Sequence, residues 1–241
     1  MKRFTAAALF CTGALALASE AVAQEETPEW TGEGSFGAGV TSGNTDTKDL
    51  SAGLKLKHNG PVWAQSGELA AEYGETDGVE TKNRVAGALQ VDRSFTPRLS
   101  AFGRLTYEKD EFSGFEDRTF AGLGVAYKVI VSEPTSWTLQ GGPGYRQDKI
   151  RTTGETEESL GATLGSRFKH AFNERVALTN DTDITTGDVS TQVVNGLALT
   201  FEIMGNLSAR VSYDVRHDTS PPAGFEKTDT ATRFSLVYKI G

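Results

Sequence analysis

A strict alternation of apolar and polar residues constrains the fold of this 241-residue chain more than any other feature. Apolar residues occupy every second position in segments such as 50–56, 121–129 and 207–215. Successive side chains of a strand point to opposite faces of a sheet, so this period indicates β-strands exposed to two different environments. No convincing amphipathic helix pattern follows the amino-terminal segment.

The alternating stretches predict about twelve strands. They lie at about 30–42, 48–58, 62–74, 80–93, 98–110, 117–131, 136–149, 157–170, 175–185, 191–203, 207–218 and 228–240. Most contain 11–15 residues, whereas strands of soluble sheets usually contain about five or six. A tilted strand needs about 9–11 residues to cross the hydrocarbon layer of a membrane. Strand length therefore predicts an all-β, closed, antiparallel, up-and-down transmembrane β-barrel.

The connections alternate between two kinds. Short, turn-forming connections are expected at 59–61, 96–97, 133–135, 173–174 and 205–206, and longer polar ones at 42–46, 74–78, 110–116, 152–157, 186–188 and 217–229. Short periplasmic turns and longer external loops are typical of outer-membrane barrels. An even number of strands places both chain ends on the short-turn side.

The two faces of the predicted strands differ in charge. On the apolar face, the charged residues and histidines fall within a few residues of a turn: Arg93, Lys109, Lys149, His58, His170 and His217. Charges of both signs occupy the other face, which fits a wet or salt-bridged lumen because unpaired charges are costly to bury. The predicted lumen-lining residues are Arg84, Arg104, Glu108, Arg118, Arg146, Arg167, Asp181, Asp183, Arg210, Asp214 and Arg233.

Aromatic residues predict one girdle at each membrane interface, where amphipathic rings are favoured. The short-turn girdle comprises Trp30, Trp63, Phe95, Trp137, Phe172, Phe201 and Tyr238, and the long-loop girdle Tyr73, Tyr107, Phe112, Phe115, Tyr145 and Phe225. Three polar residues do not fit the apolar face: Gln65, Asn180 and Asn195. A bulge, a register change or a subunit contact would account for them.

The amino terminus has the three parts of a secretory signal peptide: the basic Lys2 and Arg3, a short apolar run, and a small-residue ending at Ala23. We expect residues 1–23 to be removed and residues 24–241 to form the barrel. Removal changes the formal net charge from −8 to −9 and takes away Cys11, the single cysteine. So acidic a chain is a poor partner for nucleic acid.

The segment 37–48, Gly-Ala-Gly-Val-Thr-Ser-Gly-Asn-Thr-Asp-Thr-Lys, and the ending Leu-Val-Tyr-Lys-Ile at 236–240 resemble the bacterial salt-induced outer-membrane protein family. The resemblance extends over the whole chain after the signal peptide. It implies an outer-membrane β-barrel of a Gram-negative bacterium, in contact with outer-membrane lipid, and largely unknown function. Outer-membrane barrels usually end in an aromatic residue, whereas this sequence ends in Lys-Ile-Gly at 239–241. Either Tyr238 with Ile240 serves as the signal for the barrel-assembly machinery, or recognition by that machinery is weaker.

Catalytic and metal-binding patterns are weak. No histidine has metal-ligand spacing to another His, Cys or carboxylate, and no cofactor motif occurs. Oxygen-rich clusters at Asn44, Asp46 and Asp49 and at 180–183 do not match a known calcium loop. One arrangement, His217 with Asn195 and Ser220, keeps a membrane hydrolase open as an alternative, but it does not establish a nucleophile and its base. We therefore expect no enzymatic activity.

Three functions stay open at this level: a narrow or porin-like channel with a charged lumen, a closed structural or stress-related barrel without transport, and the hydrolase. A twelve-stranded barrel can have either an open or a filled interior, so strand number does not decide between the first two. Pairing of the lumen charges is the observation that would separate them. The ligand is unknown from the sequence.

Overall fold

The computed structural model describes residues 29–41 and 47–241. Twelve β-strands and no helix occur in these residues. The strands are β1 Glu29–Thr41, β2 Thr47–Asn59, β3 Trp63–Thr76, β4 Val79–Ser94, β5 Leu99–Asp110, β6 Phe115–Ser132, β7 Thr135–Ile150, β8 Thr156–Asn173, β9 Val176–Thr186, β10 Thr191–Met204, β11 Leu207–Asp218 and β12 Thr228–Ile240. The predicted strand number and positions are confirmed, with ends that move by a few residues.

The strands form one closed sheet in chain order. Each strand pairs antiparallel with its neighbours in sequence, and β1 pairs with β12 from Gly32–Ile240 to Gly37–Ser235. Closure leaves no sheet edge with unpaired backbone groups, which is the condition for a sheet to sit in hydrocarbon. The fold is therefore the predicted up-and-down barrel, with both described chain ends on the side of the short turns.

The β3–β4 connection corrects one expectation. We expected a longer loop at 74–78, but β3 continues to Thr76 and β4 begins at Val79, so the connection is only two residues. Asp77 has φ 51° and Gly78 has φ 80°. An Asp-Gly pair with two positive φ angles fits the tight hairpin turn that matches strand twist, and it lets the ladder continue to its end.

The outer surface is an apolar belt. Large apolar side chains are exposed there on strands all round the barrel, for example Leu160 at 78%, Phe234 at 69% and Leu123 at 66%. Aromatic side chains are also exposed near both ends, including Trp30 and Tyr238 at the short-turn end. Phe115 was wrongly placed in the outer girdle: it is 4% exposed because its ring packs under the Arg118 guanidinium, 3.5 Å from the ring centre.

Several predictions fall on residues outside the described ranges. The signal peptide, residues 1–23, lies there, so its cleavage stays a prediction. Asn44 and Asp46 of one oxygen-rich cluster lie there as well. Among residues 29–41 and 47–241, no helix is long and apolar enough to cross a membrane.

Candidate functional site: the barrel interior

The barrel encloses a central cavity of about 420 Å³ to which all twelve strands contribute. All eleven predicted lumen residues lie on its wall: Arg84, Arg104, Glu108, Arg118, Arg146, Arg167, Asp181, Asp183, Arg210, Asp214 and Arg233. Because strand side chains alternate, one face of each strand sends its charges inward while the other carries the apolar belt. Their role in passing solutes stays a prediction.

Glu72 on β3 is the centre of the first ion-pair cluster. Its carboxylate is 2.8 Å from Arg84 on the adjacent β4, 2.7 Å from Arg216 on β11 and 2.5 Å from Arg233 on β12. Three strands separate β3 from β11 around the wall, so the Arg216 contact reaches across the lumen. Glu72 is only 7% exposed. Three arginines thus share one nearly buried carboxylate.

Two further carboxylates extend this cluster. Arg84 Nε donates to Glu108 on β5 at 2.6 Å, and Arg233 also pairs with Asp214 on β11. Gln192 on β10 donates to Glu108 at 3.5 Å from the other side of the barrel. Arg84 and Arg233 thus each have a second carboxylate, whereas Glu72 is the only ion-pair partner of Arg216 among the described residues. The cluster forms a charged layer in the outer half of the lumen, towards the long loops.

A second layer lies closer to the outer mouth. Arg118 on β6 pairs with Asp218 on β11 at 2.6 Å, and four strands of the wall lie between β6 and β11. Arg146 pairs with Asp148 at 2.8 Å and also donates to the Ser190 carbonyl at 3.1 Å. Arg146 and Asp148 are 3% and 5% exposed. The Arg118–Asp218 pair thus joins opposite walls at this depth, and Arg146 joins β7 to the β9–β10 loop.

Ion pairs also reach across the middle and inner parts of the lumen. Arg104 on β5 and Arg167 on β8 both bind Asp183 on β9, at 3.1 and 2.7 Å. Deeper still, Arg210 on β11 makes a bidentate pair with Glu33 on β1, with both contacts at 2.7 Å. Bidentate arginine–carboxylate pairs are geometrically specific as well as strong. The interior is therefore salt-bridged at several depths.

One half of the interior is filled and the other is not. Phe102 and Phe120, 3% and 5% exposed, lie against the wall formed by β6 and β7. Glycines make room for the rings: a Cβ at Gly124 would lie 2.8 Å from Phe102 Cζ, and one at Gly122 would lie 2.6 Å from Phe120 Cε1. Small side chains line the cavity on the opposite wall: Ser35, Ser51, Ala70, Ala86, Ala88, Ala198 and Ser212. Part of the free space in the cavity therefore adjoins these small side chains.

The long loops narrow the outer mouth. Gly114 in the β5–β6 loop faces Pro222 and Phe225 of the 219–227 loop so closely that a Cβ on it would lie 2.5 Å from Pro222 Cδ. Arg151 of the β7–β8 loop donates to the carbonyl oxygens of Asp110 and Ser113 at 2.6 and 3.0 Å. A small space of about 80 Å³ stays beneath these loops. Three loops thus form a cover over the salt-bridged outer layer.

Lysines dominate the inner end of the lumen. Lys57 on β2, Lys128 on β6 and Lys169 on β8 lie on the inward-facing positions of their strands and are exposed. None of them has an ion pair within 4 Å in the part of the chain that the structure describes. Asp92 on β4, also at this end, accepts hydrogen bonds from Gln90 at 3.1 and 3.2 Å and forms no ion pair with these lysines within 4 Å. The inner mouth therefore carries positive charge that is not neutralised by pairing.

The polar residues on the apolar face pair with one another. Asn195 Nδ2 donates to Thr182 Oγ1 at 2.7 Å, and the side-chain amides of Asn180 and Asn195 lie 3.3 Å apart. Gln65 lies 3.1 Å from His58 Nδ1. No bulge or register shift occurs at these positions, so those two explanations were wrong. Mutual hydrogen bonds satisfy the donors and acceptors of these side chains in a place that water does not reach.

Comparison with known proteins decides the family. Residues 34–240 match the sequence profile of a family described as "Protein of unknown function, DUF481". The chain belongs to the DUF481 family. No match is found for this DUF481 chain among curated proteins. The salt-induced family name stays a prediction.

Solved structures similar to this DUF481 chain are outer-membrane barrels. The NanC porin has a TM-score of 0.53 at 9% identity, over 88% of this chain and 100% of that one. The COG4313 outer membrane channel from Pseudomonas putida F1 has a TM-score of 0.52 at 10% identity, over 93% and 100%. At such identities the likeness shows the fold alone: this DUF481 protein has the fold of outer-membrane β-barrels.

The hydrolase arrangement is not assembled. His217 Nδ1 lies 2.8 Å from Thr228 Oγ1, and Asn195 makes its hydrogen bonds with Thr182 and Asn180. No group of three metal-ligating residues occurs among residues 29–41 and 47–241. In the DUF481 barrel the second oxygen-rich cluster is divided between the two faces, because Asn180 points outward while Asp181 and Asp183 line the lumen.

Sequence reasoning missed two features of the site. The central role of Glu72 depends on which strands face each other across the closed barrel, and no local signal indicates that. The two lumen phenylalanines did have a signal: Phe102 and Phe120 lie on the charged face of their strands, and β6 and β7 carry glycines at lumen positions such as Gly122, Gly124 and Gly144. Small residues opposite large ones predict close packing.

Proposed function

We propose that this DUF481 protein is a narrow, passive channel for small hydrophilic solutes and ions in the outer membrane of a Gram-negative bacterium. The charged lining of the central cavity is the observation that supports the proposal. Nine cationic and eight anionic side chains line a space of about 420 Å³ inside an apolar belt. Charges in such number fit contact with water better than a dry core.

The lining indicates what the channel passes. Most of its charged groups are paired with an opposite charge within 4 Å, so the middle of the path is close to neutral. Rings of a single sign select ions strongly, whereas mixed and paired charges do not. We therefore expect weak ion selectivity in the middle of the path and a size limit set by the open half of the lumen.

Ion pairs that cross the barrel favour a second candidate, the closed structural barrel. Arg118 with Asp218 and Arg216 with Glu72 join opposite walls, and loops cover the outer mouth. In the channel proposal these contacts narrow the path without sealing it, since side chains exchange partners and water enters between them. In the alternative they seal it.

Conductance across a planar lipid bilayer tests the proposal. The purified full chain is inserted at low and high KCl, with matched detergent as the blank. Discrete steps of small and uniform size are the expected result. Steps that disappear after heat denaturation of the same sample belong to the folded protein. A correctly folded sample that gives no steps at any salt concentration would favour the closed barrel.

A further inference from the structure

The two ends of the barrel carry opposite net charge. Each end is defined as the five residues of every strand that lie nearest to it, together with the turns or loops that connect them. The described inner end so defined has nine cationic and six anionic residues. The described outer end has nine cationic and twenty anionic residues. The net charges are thus +3 and −11. This difference survives the pairing described above, because paired groups cancel within each end.

Side chains that line the path share this polarity. At the inner end, Lys57, Lys128 and Lys169 point into the lumen without an ion pair among the described residues. At the outer end, the space beneath the loops is lined by more carboxylates than cations, with Asp110, Glu226 and Asp229 among them. Fixed charge at a pore mouth concentrates mobile ions of the opposite sign within about a Debye length, roughly 10 Å at 0.1 M salt. Cations therefore collect at the outer mouth and anions at the inner mouth.

From this polarity we infer that the pore rectifies: it passes cations inward and anions outward more readily than the reverse. The inference rests on the proposed channel function. When the outer side is positive, cations enter from the mouth that is rich in cations and anions enter from the mouth that is rich in anions. Both kinds of ion then accumulate in the middle of the pore and its conductance rises.

The opposite voltage has the opposite effect. It draws each kind of ion out through the mouth where it is concentrated, and the fixed charge at the far mouth opposes its replacement. The middle of the pore is then depleted of both ions and conductance falls. Since the effect depends on unscreened fixed charge, it weakens as the Debye length falls to about 3 Å in 1 M salt.

The current–voltage relation of single pores tests the inference. The orientation of the inserted pore is determined with a cysteine in the exposed β7–β8 loop, introduced as Thr152→Cys in a Cys11→Ser background. A bulky thiol reagent added to one side of the bilayer binds this cysteine only when the long loops face that side. At about 100 mV in 0.1 M KCl, we expect current with the outer side positive to exceed the reverse current by about twofold or more. In 1 M KCl the ratio should approach one.

Two triple variants make a matched pair. Lys57→Gln, Lys128→Gln and Lys169→Gln remove three positive charges from the inner lumen, which takes the net charge of that end from +3 to zero while the outer end keeps −11, and should lower the rectification ratio. The control removes three charges from the outer end on the outward-facing positions of the strands, where each lysine is paired with a nearby carboxylate: Lys48→Gln, Lys109→Gln and Lys149→Gln. The control should rectify at least as strongly as the unaltered protein.

The outcomes separate this inference from the channel proposal. A folded protein without conductance contradicts the channel itself. Conductance with a linear current–voltage relation in 0.1 M KCl leaves the channel standing and refutes the rectifier. A rectification ratio that is unchanged in the Lys57, Lys128 and Lys169 variant also refutes it, as does rectification of the opposite sign. Heat-modifiable migration in gels shows for each variant that the barrel has folded.

Discussion

Glu72→Gln removes the one carboxylate that three arginines share. Gln keeps the shape and an acceptor oxygen, so the change isolates the charge. Arg84 retains Glu108 and Arg233 retains Asp214, but Arg216 loses its counter-charge. Removing one partner of a buried ion pair costs about 3–5 kcal/mol because a buried charge is left uncompensated.

The arginines here are partly hydrated, with Arg216 and Arg233 side chains 23% and 20% exposed. This places the expected loss at the lower end, at about 3 kcal/mol, or about a hundredfold in the unfolding equilibrium. Urea unfolding in lipid vesicles, followed by tryptophan fluorescence, measures the change. Loss of a cross-barrel contact should also raise single-channel conductance and shift ion preference towards anions.

Glu68→Gln is the matched control on the same strand. Glu68 faces the same cavity, but its side chain is 51% exposed and its contact with Lys55 is 4.0 Å. Exposed pairs contribute about 0–1 kcal/mol, so little loss of stability is expected. If Glu72→Gln proves no more destabilising than Glu68→Gln, the view of Glu72 as the centre of a buried ion-pair cluster is wrong.

Three further predictions concern the wall, the belt and the mouth. Gly124→Ala should lose about 1–3 kcal/mol in urea unfolding, because its Cβ would lie 2.7 Å from a backbone carbonyl carbon, whereas Gly103→Ala, with nothing within 4 Å, should be neutral. Asn195→Ala should lower the free energy of unfolding by about 1–3 kcal/mol, because it leaves the Asn180 amide without its partner. The double variant Asn180→Leu with Asn195→Leu should restore stability, because both polar groups are then replaced by apolar ones. A double variant less stable than Asn195→Ala would contradict mutual pairing in lipid. Arg118→Gln should raise single-channel conductance by opening the outer layer, and unchanged conductance would show that the loops alone set the constriction.

Much of the fold is readable from the sequence because the membrane imposes one rule on every strand. Alternation gives strands such as β11 and β12 with the same ends that the structure has, and the eleven residues it places on the inward face line the cavity. The short β3–β4 connection also has a local signal in the sequence, because Asp77-Gly78 is a dipeptide typical of two-residue hairpin turns.

The remaining features depend on closure. Arg118 meets Asp218 and Arg216 meets Glu72 only because the curved sheet brings distant strands face to face, and alternation does not contain that information. Phe115 shows the same limit: its position in sequence fits an interfacial girdle, but the Arg118 guanidinium draws its ring into the mouth. Pairing across a lumen is a property of the whole barrel.

Accessibility of two neighbouring residues on β4 tests the central claim, a hydrated lumen inside an apolar belt, most directly. Ala88 lines the cavity, and Leu89 beside it is 62% exposed on the outer surface. Each is replaced by cysteine in a Cys11→Ser background, and the folded protein in lipid vesicles is treated with a small, charged, water-soluble thiol reagent. We predict rapid modification of Ala88→Cys and none of Leu89→Cys. Modification of Leu89→Cys with protection of Ala88→Cys would contradict the account.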